Sequence, residues 1–256
     1  MQIVIPMAGI SSRFTKAGHK IPKYLLEVDG KLMIEHIVNM FPGEEDFLFI
    51  CNKDHFEKYN LKRLLKKIKP SSKIVSVDGG GQGPVYNTLL VKKYIKDQEP
   101  VLVSYCDFSV HWDYQDFKNK VLKSKADGSV ICYKGFHPHL LGPNLYAGVL
   151  AKNNNSITDI KEKHSFTENK MDTWQSAGSY YFRSGQLLKK YFQQLVEENI
   201  NVNGEFYVSL VYQLLLRDQK KVSLYPVKYF CQWGTPEDLK EYQYWSEYFS
   251  LTKKRT

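Results

Sequence analysis

The chain has 256 residues, 43% hydrophobic and 25% charged, which is ordinary for a soluble globular protein and enough for one sizeable core. No window approaches the ~20 apolar residues of a membrane span, and the start MQIVIPMAG lacks a basic n-region and a long apolar stretch, so a cytoplasmic protein without a signal peptide is expected. A net charge of +9, from 36 basic and 27 acidic residues, favours polyanionic ligands, nucleotides or nucleic acids. The four cysteines form no CxxC pair and meet no histidine at zinc-finger spacing; Cys51, Cys106 and Cys132 sit in or at the end of apolar runs, as small hydrophobes do.

Taken in chain order, the first hundred residues alternate strand-like runs with amphipathic stretches. Strands are expected at Ile3–Pro6, Phe47–Cys51, Ile74–Val77 and Val101–Tyr105, and helices at Met33–Met40, Asp54–Ile68 and Val85–Ile95. Strands alternating with helices at this spacing imply parallel βαβ units, so the loops after Met7, Val77 and Tyr105 should gather at one ligand-binding edge. A helix from Phe117 to about Lys125, a strand at Gly128–Cys132 and a loop rich in proline and glycine come next. Asn153 to Ser156 reads as a hairpin turn joining Tyr146–Ala151 to Ser156–Glu162. The remaining expectations are a strand at Ser176–Phe182, helices at Gly185–Glu197 and Glu205–Arg217, a last clear strand at Val222–Val227, and an aromatic-rich helix at Pro236–Phe249. Lys253 to Thr256 should be a frayed tail. With no internal repeat or low-complexity linker, a single domain over 1–250 is expected, 1–130 forming the nucleotide half and 131–250 the acceptor half.

The first forty residues carry the chemistry. A buried strand ends in the small-residue loop Ala8-Gly9-Ile10-Ser11-Ser12-Arg13, whose backbone N–H groups can cradle phosphates, and Lys23 lies ten residues beyond Arg13. The loop is neither a Walker A element nor a GxGxxG fingerprint. The bland alternative is a β-turn with two surface cations. Asp107 ends an apolar strand at the ligand edge, where a helix N-cap is the alternative, and Asp113 could equally cap. Gly79 to Pro84 is a flexible turn before a helix; Gln82 in it could read a base edge, since an amide both donates and accepts.

These residues, followed by Pro22-Lys23-Tyr24-Leu25-Leu26-Glu27-Val28-Asp29-Gly30-Lys31 and Ile34-Glu35-His36, resemble the signature of sugar-phosphate nucleotidyltransferases. Ser11 stands where a second glycine is usual and Leu32 where a proline is. The resemblance implies an α/β, Rossmann-like glycosyltransferase-A type fold with a mixed, mostly parallel sheet, and a reaction in which a phosphorylated metabolite attacks the α-phosphorus of an NTP. It implies that Ala8, Gly9, Ser11 and Ser12 hold the nucleotide with Arg13, that Lys23 neutralises the α-phosphate, that Gln82 and Gly83 face the base, and that Asp107 binds Mg²⁺. On the acceptor side it assigns Tyr146, Gly148, Glu162, Lys163, Gly178 and Glu205, with Lys163 on the substrate phosphate and Glu162 on a hydroxyl or amine. For Glu205 a first-turn helix carboxylate is the alternative. Gln232 takes the place of an aspartate that serves as the second metal ligand in the family, which leaves Glu205 or Glu162 to close the site or one carboxylate to suffice.

Within the family, the segments NGEFYVSLVYQ and QWGTPEDL resemble capsule-associated cytidylyltransferases, which implies CTP and an N-phosphorylated amide as substrates. Sugar-1-phosphate or phosphocholine transfer is the alternative. A non-catalytic nucleotide sensor is a rival of another class, since Gln232 departs from the metal-binding pattern. Nucleic-acid binding is not expected, because no basic helix or aromatic platform is recognisable. The oligomeric state is left open, a dimer being one option.

Overall fold

The computed structural model describes residues 1–78 and 81–253; Gly79 and Gly80 of the turn before Gln82, and Lys254 to Thr256 of the tail, lie outside the described residues. The chain begins with β1 (Gln2–Met7), α1 (Ser12–Lys16), the two-residue strands β2 (Glu27–Val28) and β3 (Lys31–Leu32), and α2 (Met33–Asn39). It continues through β4 (Phe47–Asn52), α3 (Lys53–Lys58), α4 (Leu61–Ile68), β5 (Lys73–Val77), α5 (Gly83–Leu90) and β6 (Val101–Ser104). Then come β7 (Phe108–His111), α6 (Tyr114–Ser124), β8 (Gly128–Tyr133), β9 (Gly148–Ala151), β10 (Ile157–Lys161) and β11 (Trp174–Phe182). The chain closes with α7 (Gly185–Glu197), α8 (Val208–Arg217), β12 (Val222–Pro226), β13 (Tyr229–Gln232) and α9 (Pro236–Lys253).

The central sheet has the order β10-β9-β11-β6-β1-β4-β5, with β8 joining β11 to β12. It is the mixed, mostly parallel α/β sheet with flanking helices that the sequence implied. The run β6-β1-β4-β5 is parallel throughout, whereas β11 is antiparallel to β6, β8 and β9. Period-two alternation sorts the apolar side chains to two cores. Val4, Leu48 and Ile50 face α5, α7 and α8, while Ile3, Ile5, Phe47 and Phe49 face α2, α4 and α6. Both faces of the parallel strands are therefore covered, which is why they read as continuous apolar runs rather than alternating ones.

Several boundaries differ from the sequence expectation. The helix expected over Asp54–Ile68 is two helices, because Asn60 takes a left-handed conformation (φ 47°) between α3 and α4. The stretch Val85–Ile95 becomes α5 followed by a 3₁₀ turn at Lys92–Tyr94. Val222–Val227 is not the last strand: β13 follows it and pairs antiparallel with β7, aligning Gln232 with Phe108 and Tyr229 with His111. Four-residue strands give too little pattern to read, and pairing alone defines them. The hairpin at Asn153–Ser156 is present, with β9 and β10 antiparallel.

Candidate active site

The loops after β1, β5 and β6 meet at one edge and open on a cavity of about 520 Å³. Gly9, Ser11, Ser12 and Arg13 form one wall, Lys23 and Asp107 lie on the floor, and Tyr146, Glu162, Lys163, Gly178 and Glu205 line the far side. Gly83 lines it as well. Three assigned positions do not. Ala8 is buried beneath the loop, its carbonyl accepting from Asn52 Nδ2 at 3.4 Å. Gln82 is exposed, and its backbone carbonyl accepts from Phe206 N at 2.9 Å. Gly148 is buried against the chain itself: a Cβ there would lie 2.3 Å from the His164 carbonyl oxygen, so the close approach it permits is that of backbone and not of substrate.

Ser11 adopts a left-handed conformation, φ 56°, which accounts for the glycine usual at this place in the resembling signature. Its hydroxyl accepts from Lys23 N at 3.3 Å, tying the phosphate-type loop to the Pro22-Lys23 turn. Arg13 is exposed at the mouth and makes no ion pair among the described residues. Lys23 is no surface cation. Its Nζ stands 2.6 Å from Asp107 Oδ2, and the two side chains are only 26% and 20% exposed. Burial by itself would lower the Lys23 pKa; the charges of Asp107 and Cys106 and the hydrogen bond to Asp107 outweigh it and raise the value.

Asp107 lies between β6 and β7 rather than at a helix start, and it is Asp113 that caps α6, accepting from Asp116 N at 2.8 Å. Backbone contacts fix its position: its carbonyl accepts from Trp233 N at 2.9 Å, and a Cβ on Gly234 would lie 3.3 Å from its Oδ2. The segment after β13 is thus folded directly over Asp107. Gln232, nearby in sequence, does not line the cavity; it is buried near the Asp238 carboxyl, its Oε1 without a hydrogen-bond partner among the described residues. Among the described residues no three His, Cys, Asp or Glu side chains cluster as a metal cage.

On the far side, Glu162 accepts a 2.5 Å hydrogen bond from Ser209 Oγ. Burial pushes its carboxyl up, the Ser209 bond and Lys163 pull it down, and Glu205 adds to the rise. Lys163 occupies the left-handed region at φ 53° and points its Nζ to Tyr207 Oη at 3.2 Å rather than to either glutamate. Glu205 precedes α8 by three residues, so the helix-start alternative for it falls away. Gly178 sits at an irregularity of the β11–β8 pairing with φ +90°, and its carbonyl accepts from Tyr105 N at 3.0 Å.

Sequence reasoning missed Tyr105, Tyr180 and Asn87, which also line the cavity. Tyr105 directly follows β6 at the ligand edge, a position that could have flagged it; Tyr180 and Asn87 carry no local signal. His139 Nε2 and Tyr133 Oη are hydrogen-bonded at 2.6 Å, and burial with neighbouring His137 pushes the His139 pKa down to about 3.

The profile of the MobA-like NTP transferase domain matches residues 3–168, which include the loop, Lys23, Asp107, Glu162 and Lys163. The chain belongs to this family. It is also 24% identical over 246 residues to the bifunctional protein GlmU of Methanocaldococcus jannaschii, covering 94% of this chain and 53% of that protein. The chain thus spans about half the length of this curated relative. Among solved structures, a nucleoside-diphosphate-sugar pyrophosphorylase from Vibrio cholerae superimposes with a TM-score of 0.72 at 21% identity, covering 94% of this chain and 99% of that one. The inositol-1-phosphate CTP transferase from T. maritima gives 0.70 at 18% identity, with 94% and 92% covered. At these identities the likeness speaks for the fold alone.

Proposed function

We propose that the protein is a nucleotidyltransferase that joins the nucleotidyl group of an NTP to a phosphorylated small molecule and releases pyrophosphate. One observation carries this reading: the Lys23–Asp107 pair lies inside a single cavity between a phosphate-type loop and a second anion-ready wall containing Lys163. A phosphate oxygen of the acceptor attacks the α-phosphorus, the bond to the bridging oxygen breaks, and pyrophosphate leaves; no covalent residue is needed, only alignment and charge neutralisation. The backbone of Gly9 to Ser12 with Arg13 holds the leaving phosphates, and Lys23 neutralises the α-phosphate. Asp107 fits Mg²⁺ as a single carboxylate acting with nucleotide oxygens, the mode this ion accepts, and the bound ion would supply further neutralisation of the phosphates. Gln232 has no part in that site.

The nucleotide proposed is CTP, and the acceptor is L-glutamine phosphate, in the modification of capsular polysaccharide. The CTP transferase named among the structural neighbours is in keeping with the nucleotide. The acceptor is supported by the far wall: among the described residues Glu162 and Glu205 make no ion pair, while Tyr105, Tyr180 and Tyr207 lie around them. Half-buried carboxylates outside any ion pair, set among aromatic faces, suit an ammonium group, which an amino-acid phosphate carries and a sugar-1-phosphate lacks. Phosphocholine carries a cation too and is the second reading.

The test is a matrix of the four common NTPs against L-glutamine phosphate, phosphocholine and glucose-1-phosphate, scored for pyrophosphate. CTP with glutamine phosphate is expected to lead. A protein that retains CTP but releases no pyrophosphate with any acceptor would overturn the enzymatic reading in favour of a sensor.

A further inference from the structure

Asn87 brings to the cavity a polar group that stays unmatched among the described residues. It lies on α5, is only 5% exposed, and lines the cavity together with Gly81, Gly83 and Pro84. Its Oδ1 is closed off from solvent and has no hydrogen-bond partner; no other cavity-lining side chain has such an atom among the described residues. The next residue, Thr88, shows how a buried polar side chain of this helix is ordinarily satisfied: its hydroxyl donates to the Pro84 carbonyl at 2.7 Å, one turn back. A buried amide oxygen without a donor is unfavourable, and asparagine is a weak helix former. An apolar side chain of the same size would pack α5 better, so Asn87 answers to something that enters the cavity.

The chemistry of this side narrows what that is. Gly81, Gly83 and Pro84 carry no charge, and α5 packs against β1, whose end leads directly into the phosphate-type loop. The cations of the cavity, Arg13, Lys23 and Lys163, lie on other elements. The α5 side therefore suits a flat, uncharged ring with a polar edge. A primary amide offers a donor and an acceptor side by side, and the torsion that decides which of them faces the cavity is broad for asparagine. That pair matches the polar edge of a nucleobase. Gln82, the amide in the preceding turn, is exposed and does not line the cavity.

We infer that Asn87 is the residue through which the cavity selects its nucleobase, its amide pairing with the polar edge of the base. The inference rests on the nucleotidyltransferase reading above. The bases differ in the order and reach of their donors and acceptors. One that fits satisfies the amide as it displaces cavity water, whereas one that does not leaves the amide unmatched in a closed site, and such a site discriminates sharply.

Isothermal titration calorimetry of the full chain with CTP, UTP, ATP and GTP, without acceptor, tests this. The wild type is expected to favour one nucleotide, CTP on the reading above. Asn87→Leu keeps the size of the side chain; it should weaken binding of the favoured nucleotide roughly 10–100-fold, the loss of two hydrogen bonds, and bring the four affinities within about threefold of one another. Its ligand-free Tm should equal or exceed that of the wild type, because the unmatched amide is gone, whereas a packing role would lower it. Asn87→Ser, smaller and polar, should narrow the ranking in the same direction if leucine overpacks the site. The inference is overturned by a wild type that binds the four nucleotides alike, by an Asn87→Leu protein that keeps the wild-type ranking, or by equal loss for all four with a lowered Tm. It is overturned as well if pyrophosphate release shows a changed ranking of acceptors and an unchanged ranking of nucleotides, which would assign the amide to the acceptor. A wild type that binds no NTP overturns the nucleotidyltransferase reading and the inference with it, an outcome distinct from all the others.

Discussion

Replacing Lys23 by methionine separates what this residue does for stability from what it does for reaction. The ion pair to Asp107 is 2.6 Å long with both side chains mostly buried. At an effective dielectric near 20 its gross attraction is roughly 4–6 kcal/mol, and desolvation of both groups offsets much of that. Loss of the cation should therefore cost about 2 kcal/mol, between the values for exposed and fully buried pairs, which in a chain of this length lowers Tm by roughly 4–8 °C. The folded pKa of Lys23 is raised above its ordinary 10.5, so the contribution is fully present at neutral pH and fades only as pH climbs through the raised value. Reaction should suffer more. A positioned charge acting on the transition state contributes about 10²–10³ in kcat, and no other described lysine lines this end of the cavity. The double variant Lys23→Met/Asp107→Asn removes both charges, so it should regain most of the lost Tm while staying inactive. Thermal melts and pyrophosphate release with the best substrate pair read the two effects. Retention of kcat/KM within about threefold in Lys23→Met would refute the assignment. Activity that returned together with stability in the double variant would refute it as well.

Two further outcomes follow from local geometry. Gly83→Ala would place a Cβ 2.8 Å from Phe206 N at φ +90°, breaking the clamp made by the Phe206 N–Gln82 O and Val85 N–Phe206 O bonds; a loss of about 2–3 kcal/mol in urea denaturation is expected, and a neutral variant would show the loop is free of Phe206. Glu44 is buried, receives hydrogen bonds from Tyr114 Oη at 2.7 Å and Lys118 Nζ at 2.6 Å, and keeps a lowered pKa because these bonds outweigh burial, which would raise it. Its stabilisation is present above about pH 4.5 and is lost as pH falls through the lower folded value, so Glu44→Gln should lower Tm at pH 7 and flatten the acid limb of the Tm–pH curve.

The parallel half of the fold was legible because strand, loop and helix there alternate in sequence as they do in space. The same was true of the loop at Gly9, Lys23 and Asp107: each lies at the end of a strand or turn whose local pattern says where it points. What stayed hidden depends on contacts between distant segments. The pairing of β13 with β7 joins residues more than a hundred positions apart, and it is this pairing that brings Gly234 over Asp107. Gly148 illustrates the opposite error: a glycine near the right motif was read as a substrate contact, although the backbone that needs the space is His164. Sequence shows that a residue without a side chain is required, but not which neighbour requires it.

Gln232 joins these threads. A carboxylate at that position in the resembling pattern would stand beside Asp107 and share a cation with it. Here the amide is buried off the cavity, near the Asp238 carboxyl in the first turn of α9, whose pKa burial raises. The exchange removes one negative charge from the neighbourhood of Lys23 and leaves Asp107 as the carboxylate facing the cavity floor. With a single acid, Lys23 can neutralise the floor completely before any nucleotide arrives, as the 2.6 Å ion pair shows. If the proposed site takes a divalent ion, one carboxylate would hold it weakly by itself, and the phosphate oxygens of the nucleotide would have to complete the ligand set. In the proposed site Gln232 would thus alter the order of filling rather than the chemistry. The acceptor wall keeps Glu162 and Glu205 outside any ion pair among the described residues, with Lys163 beside them to meet an incoming phosphate.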